Sequence, residues 1–587
     1  MPLSETVLLQ IFTGKGNAFY QLSRGKTNPY RDLEASLSNY GLAFQLINNM
    51  RNGYNIEDTK LLLSETTKKY YAQALHVALE FDKLYPSGEN SIRPFEFIEK
   101  GKGATMAASF NEHKARHFAG IPDPLLDNEK GLQGRIGFYT VQVANQKYQK
   151  GGYDTLKVNA WENEKFTCSR KLDSLVTFFE TNYPAYYEFK YANNVASIPE
   201  IQKSLDDNTA ILEYLVGDSS LFIATITDSL YKIIKIPTDS SFTKLVAKYY
   251  RDIKIAEPGS FAANSHHIYE KLVKPVEVYI SHKGKLVIVP DDYLYYVPFE
   301  TLVDNVPATK SQDEDFSKLD YLIKTHSISY HHSATLWSNS NKNGNEIAAK
   351  QKVNFIGFAP VFSKEKNNGI ILSSNISAID TTGNDLAYRS ISTDLKSFNP
   401  LPNSKEEVVS IVHLFEKRRK EAKVYLYSEA SESNFKNNIK GYSIVHIASH
   451  GFSNDKEPEL SGIVFSQPGD TSEKEDGILY AGETYSLNLS ADLIVLSSCE
   501  SGLGKLVKGE GLQALSRGFL YAGASNVMFS LWKVLDKPTE GLMLNFYSNV
   551  LDGKPYAESL RQAKLKLIND PKTAFPHFWG GFLLVGK

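Results

Sequence analysis

Two cysteines, Cys168 and Cys499, are all that a chain of 587 residues carries. That scarcity excludes a disulfide framework and a structural zinc cluster, which needs several convergent Cys or His ligands. An excess of one charge is missing as well. With 65 basic and 67 acidic residues the net charge is −2, so there is no basic stripe for direct contact with nucleic acid or a membrane surface. No apolar run approaches the roughly 18–20 residues of a membrane span. The opening "MPLSETVLLQIFTGKGNAFY" lacks the basic start and continuous apolar core of a secretory leader. A cytoplasmic location is the expectation. Aromatic residues, in contrast, are plentiful: 34 Tyr and 32 Phe supply ample area for burial. The length implies two to four domains.

Up to about residue 195 the apolar spacing is helical. Segments such as "RDLEASLSNYGLAFQLINNMR" and "IEDTKLLLSETTKKYYAQALHVALEFDKLYP" place apolar residues three and four apart, with short polar breaks between them. An antiparallel helical array is expected over 1–195. Near Asn208 the period changes. "AILEYLVGDSSLFIATITDSLYKIIKI" reads as a meander, and "KLVIVPDDYLYYVPFETL" as a strand entering a buried turn, within a section expected over 196–350. From 351 to 587 apolar runs alternate with helical patterns, which implies a mostly parallel sheet covered on both faces. Polar stretches near 362–402 and 453–478 read as long loops.

Two strand-like runs in the last section stop at reactive side chains. "SIVHIASHGF" ends at His450, and "LIVLSSCESG" ends at Cys499, 49 residues later. Open α/β sheets bind ligands beyond the carboxyl ends of their strands. If the two runs are neighbouring strands, about 4.8 Å apart, both side chains stand over one crevice. A thiol becomes a strong nucleophile as thiolate, and an imidazole can both take its proton and return it to a leaving amine. The backbone N–H groups of Gly451 and Cys499 are candidate oxyanion donors. A bland reading stays open, because a cysteine ending an apolar run can be buried and inert. His446, four residues before His450, reads as a core or supporting histidine, His577 as part of the core, and Cys168 as incidental. No further His or Cys spacing supports a metal, and "GLGKLVKGEGL" follows neither nucleotide-binding pattern, so no cofactor is expected.

The ordered set "HIASHG", "ADLIVLSSCESGLG", "GEGLQALSRGFLYAGASNVMFSLW" and "FWGGFLLVG" resembles the CHAT family, caspase-like domains related to separase and commonly appended to tetratricopeptide repeats. The resemblance runs from about Ser197 to Lys587, and the preceding helices suit a tetratricopeptide-like array. It implies an α/β caspase–separase-like fold, with 196–350 as the upstream half and 351–587 as the catalytic half of the CHAT domain. By position His450 matches the family's histidine, Cys499 its nucleophile and Gly451 the glycine that helps hold the oxyanion. The implied activity is that of a cysteine endopeptidase, read here as one of bacterial type acting on a protein substrate; the long loops and the appended helices add the expectation that a regulatory partner on the N-terminal helices gates it. Ser497, Glu500 and Asp455 are candidate substrate-binding residues. An acidic loop with Asp455, Glu457 and Asp476 would favour a basic P1 residue but equally fits a solvated loop, so no P1 preference follows. A non-catalytic interaction module built on the helices, and a different thiol-dependent hydrolase or transferase, remain as alternatives.

Overall fold

The computed structural model describes every residue except 1–3, 55–56, 87, 148–152, 191–194, 307–314, 349–352, 362–400, 455, 468–474, 488, 499–501, 503 and 587. The first expected long loop, 362–402, therefore lies almost wholly outside the described residues. Among the described residues nine helices come first: α1 (Glu5–Ser23), α2 (Tyr30–Gly53), α3 (Glu57–Leu84), α4 (Gly88–Lys100), α5 (Ala104–Phe118), α6 (Asp123–Lys147), α7 (Thr155–Asn182), α8 (Pro184–Lys190) and the short α9 (Ile198–Ser204). Leu33, Leu37, Tyr40, Phe44 and Ile47 form one stripe of α2, spaced three and four apart, and pack with Tyr71, Leu75, Ala78 and Phe81 of α3. "IRPFEFIEKGKGATMAASFNEHKAR" reads as one helix but is split at Gly101–Gly103. Gly103 adopts φ of 51°, where a side chain would be strained. Cys168 lies in α7, 2% exposed, as an ordinary core residue.

Sixteen strands follow: β1 (Thr209–Val216), β2 (Ser220–Ile226), β3 (Tyr231–Pro237), β4 (Lys285–Val289), β5 (Ser327–Tyr330), β6 (Phe355–Ala359), β7 (Ala422–Leu426), β8 (Ile444–Ala448), β9 (Gly451–Phe452), β10 (Gly462–Val464), β11 (Ile478–Tyr480), β12 (Leu493–Ser497), β13 (Gly504–Val507), β14 (Gly511–Ala514), β15 (Asn526–Ser530) and β16 (Phe582–Val585). Eleven of them make one sheet in the order β3-β2-β1-β4-β5-β16-β15-β12-β8-β6-β7. Its ladders are parallel except β1–β2, β2–β3 and β15–β16. The fold class expected from sequence is thus the one observed, a mostly parallel sheet flanked by helices and preceded by an all-α array. Central strands are buried along their whole length, which explains why they read as continuous apolar runs rather than alternating ones. The loop expected over 453–478 differs. It contains β10 and, with β9 and β11, forms a small antiparallel sheet.

The array does not hang from the sheet by apolar contact alone. Leu215, Phe222 and Ala224 of β1 and β2 belong to the same core as α2 and α3. Buried charges add to it. Lys68 of α3 pairs with Asp291 at 2.8 Å, and Asp291 also accepts from the Val216 N–H. Glu99 of α4 accepts from the N–H groups of Ala334 and Thr335, where its charge meets the N-terminus of the Ala334–Ala348 helix. One turn from Lys68, Ser64 reaches Glu510 in the turn between β13 and β14.

Candidate functional site

β8 and β12 are parallel neighbours, with Ser497 opposite Ala448 at their carboxyl ends. Both strands stop there because the next residues are recruited elsewhere. The Ser449 hydroxyl donates to the Val464 carbonyl, and the Val464 N–H donates to the His450 carbonyl at 2.9 Å. Gly451 then pairs with Ile463 as β9 begins. His450 is half-buried and held by its backbone against β10. After β12, the Ser498 carbonyl accepts from the Ser530 hydroxyl at 2.6 Å, and the Gly502 N–H donates to the Ser530 carbonyl at 2.9 Å. Ser530, the last residue of β15, thus grips the chain on either side of 499–501. Gly502 is obligatory there, since a Cβ would lie 2.0 Å from the Phe529 ring.

A cavity of about 30 Å³, near the size of one water, opens between the strand ends. Ala448, Ser449, Ser497 and Ser498 line one side, and Ser404 and Glu407 of the Pro402–Lys417 helix line the other. Of the residues singled out in the sequence, His450, Gly451 and Ser497 gather at this edge. Cys499, Glu500 and Asp455 lie outside the described residues. Asp476 accepts from the Ile478 N–H at 3.0 Å and shapes the entry to β11.

Beneath the cavity, His446 is completely buried between the Pro402–Lys417 and Asp536–Leu551 helices. Its Nε2 lies 2.8 Å from Glu407 and its Nδ1 2.9 Å from the Tyr547 hydroxyl. Burial first, and then Glu407, push the Tyr547 phenol well up, so it stays protonated. A Tyr547 O–H donating to Nδ1 and an Nε2–H donating to the carboxylate then satisfy every partner. His446 is a supporting residue, as its place in the strand suggests, and Glu407 joins it to the wall of the cavity. His577 is likewise structural, with Nδ1 3.0 Å from the Ile253 carbonyl.

Among the described residues the side chains that could hold a metal are Glu432, Glu475 and Glu483, whose oxygens come within 4.8 Å of one another. Lys436 stands among them at 2.7, 2.7 and 3.1 Å and supplies the positive charge a metal would bring. Burial and the neighbouring Glu483 push Glu432 up to about 9.

Three contributors escaped the sequence reading. Glu407 carries no motif signal, since a Glu in a helix is commonplace, and Ser530 lies inside the family-like stretch ending "SNVMFSLW" without being singled out there. The third, Glu510, sits in "KGEG", a hairpin signal in a stretch tested only for nucleotide-binding patterns and quoted whole for the family resemblance. Gly509 and Gly511, both at φ of 81°, make the turn between β13 and β14.

Comparison with known proteins places these observations. A stretch of 111 residues, 19% of the chain, is 38% identical to tetratricopeptide repeat protein 28 of Mus musculus and 35% identical to the Homo sapiens protein of that name. The chain spans about 4% of the length of these relatives. Two crystal structures of the Saccharomyces cerevisiae separase–securin complex align with 99% and 98% of this chain and with 40% and 48% of theirs, at 8% and 9% identity and TM-scores of 0.43 and 0.34. The CHAT domain family model matches residues 263–587. Matched over more than half its length, the chain belongs to the CHAT domain family.

Proposed function

We propose that the protein is a cysteine endopeptidase whose dyad is His450 and Cys499. The observation that carries this reading is the pairing of β8 with β12, because residues leaving adjacent strand ends in register emerge over one crevice. In the reaction His450 takes the Cys499 proton, and the thiolate adds to the carbonyl carbon of the scissile peptide. The Gly451 and Cys499 amides hold the resulting oxyanion. Collapse breaks the C–N bond, with the proton passing from His450 to the leaving amine. A water activated by His450 then hydrolyses the thioester. Ser497, Glu500 and Asp455 are the residues near the dyad in sequence proposed to meet substrate.

Residues 1–195 act in this reading as a regulatory array, 196–350 as a supporting half and 351–587 as the catalytic half, in a cytoplasmic protein. Among the described residues no helix is long and apolar enough to cross a membrane. Gating by a partner on the array is supported by the contact between α3, α5 and the β13–β14 turn, since β13 begins five residues after Cys499. Glu510 accepts there from Ser64, from the Thr105 N–H and from the Thr105 hydroxyl. The same contacts would serve a non-catalytic scaffold equally well.

The test treats wild type and Cys499→Ala with a panel of peptide acyloxymethyl ketones, with and without cell lysate. Labelling of the wild type alone is expected, and labelling that needs lysate identifies a gated enzyme. No covalent labelling of Cys499 under either condition rejects the peptidase reading in favour of the scaffold.

A further inference from the structure

A cavity far larger than the one at the strand ends is found elsewhere in the molecule. It lies between the array and the upstream half, holds about 700 Å³, and is walled by α2, α4, α5 and the start of the Ala334–Ala348 helix. That volume is in the range of ligand sites. One face of α2 runs along it, with Ser38, Gly41, Gln45, Asn48 and Arg51 at successive helical spacings.

The charges on its walls are neutralised from within, with one exception. Arg93 pairs with Glu34 at 3.0 Å, Lys100 with Glu96 at 3.0 Å, Lys102 with Glu213 at 3.5 Å and Lys190 with Glu180 at 2.7 Å. Glu99 is spent on the helix N-terminus at Ala334, and Glu200 on the capping box it forms with Ser197. Arg51 is the exception. It is 8% exposed, its Nε is buried without a hydrogen-bond partner, and among the described residues no carboxylate pairs with it. Position in the last turn of α2 gives it the partial negative charge of the helix end, not a formal anion. A buried guanidinium without a counter-charge is unfavourable, and its planar donor fork matches a carboxylate.

We propose that this cavity is the docking seat for a carboxylate of a peptide partner, with Arg51 as the anion anchor and the neighbouring Tyr71 hydroxyl as a second donor. Tyr71 lines the same cavity, and burial, offset in part by Arg51, raises its phenol so that the proton is retained. A peptide fits better than a phosphate or a nucleic acid. The seat offers one unpaired cation rather than several, while Gln45 and Asn48 can pair with both N–H and C=O of a peptide backbone. The carboxylate can be a chain terminus or an Asp or Glu side chain.

The seat also adjoins the hairpin. A Cβ on Gly101 would lie 3.1 Å from the Tyr71 Cβ, and one on Gly509 would lie 2.8 Å from the Gly101 carbonyl. Tyr71, Gly101 and the β13–β14 turn are therefore stacked in contact. The inference gives a chemistry to the partner-binding role proposed for the array, but its readout requires no turnover. Failure of active-site labelling leaves it standing, and its failure leaves the dyad standing.

The test exposes the immobilised full chain to three pools of randomised octapeptides. One has free C-termini and no Asp or Glu, one is C-terminally amidated with Asp and Glu, and one is amidated without them. Retention of the first or second pool at least tenfold above the third is expected, and which one identifies the source of the carboxylate. Arg51→Gln should abolish that excess while melting no lower than the wild type, since it removes an uncompensated charge. Gly41→Leu should also abolish it by filling the groove, because a Cβ at Gly41 meets nothing within 4 Å and leucine favours the helix. Equal retention of all pools, retention of none, an unaltered excess in Arg51→Gln, or its unfolding with the excess intact in Gly41→Leu would overturn the proposal.

Discussion

Replacing Glu510 with alanine should release the β13–β14 hairpin from the array. Glu510 is 1% exposed, and its Oε1 accepts from the Ser64 hydroxyl at 2.8 Å, the Thr105 N–H at 2.9 Å and the Thr105 hydroxyl at 2.8 Å. Arg517 lies 3.6 Å from its other oxygen. The carboxylate thus caps α5 from a distant part of the chain and balances a buried guanidinium. Alanine strands these donors away from water, and removing one partner of such a buried pair costs about 3–5 kcal/mol. The individual hydrogen bonds are not added on top, because they share one oxygen and one desolvation term. The loss falls on the docking of the turn, so local opening is the quantity to measure, not a global melting curve of a multidomain chain. At 1.4 kcal/mol per factor of ten, amide exchange of a fragment spanning 504–514 should accelerate about 140- to 4,000-fold, up to the limit set by unprotected exchange. Hydrogen exchange read by mass spectrometry tests this. Glu510→Gln keeps an acceptor in place and should show a smaller acceleration. A rise of less than about threefold in Glu510→Ala would refute the reasoning, because the turn would then be held by something other than its carboxylate.

The remaining expectations concern the candidate edge and the joint between array and sheet. Glu407→Ala leaves His446 Nε2 unpaired in the core and Tyr547→Phe leaves Nδ1 unpaired, so each should cost about 1–3 kcal/mol; denaturant midpoints followed by tryptophan fluorescence measure both, and an unchanged midpoint in either variant would contradict the network. Gly502→Ala puts a methyl 2.0 Å from the Phe529 ring and should displace 499–501; ketone labelling should slow at least tenfold with circular dichroism unchanged. His332, buried beside His331 and Arg517, is lowered to about 3, chiefly by burial. Its folded value lies below its unfolded one, so the stability it contributes is full above about pH 6.5 and is lost as pH falls. Between pH 7 and pH 5 that loss amounts to about 2 kcal/mol, and His332→Asn should remove it from the pH dependence of unfolding. Identical pH slopes in the two proteins would exclude His332 as the cause.

Period and punctuation made most of the architecture readable. A stripe such as Leu33, Leu37, Tyr40, Phe44 and Ile47 can only be a helix face, and the mostly apolar runs of β8 and β12, with one polar residue each, read as strands covered on both sides. The candidate edge was readable because His450 and Cys499 follow those strands directly. Misreadings arose where a few residues depend on distant partners. The break between α4 and α5 is made by Gly103, whose N–H turns to the Gly509 carbonyl at 2.7 Å, more than four hundred residues away. β10 hides in a polar stretch because it is short and its pairing partners flank it. Ser530, Glu407 and Arg51 carry no local signature, for what each does is set by the elements that fold against it.

The position of β16 bears on the order in which the molecule can be built. It lies between β5 and β15, parallel to one and antiparallel to the other, so residues 582–585 are the seam that unites the two halves of the sheet. On a ribosome, strands 1 to 5 emerge first and present β5 as an open edge. Strands 6 to 15 follow and present β15 as another. Neither edge can be closed until the seam has been synthesised, more than eighty residues after Cys499. Both halves therefore wait with unpaired backbone exposed, the condition in which β-proteins pair wrongly with themselves and with others. It also means that β15, next to β12 at the candidate edge, gains its second neighbour only after Cys499 has long been synthesised, so a nascent chain carries the thiol before it carries the finished sheet around it.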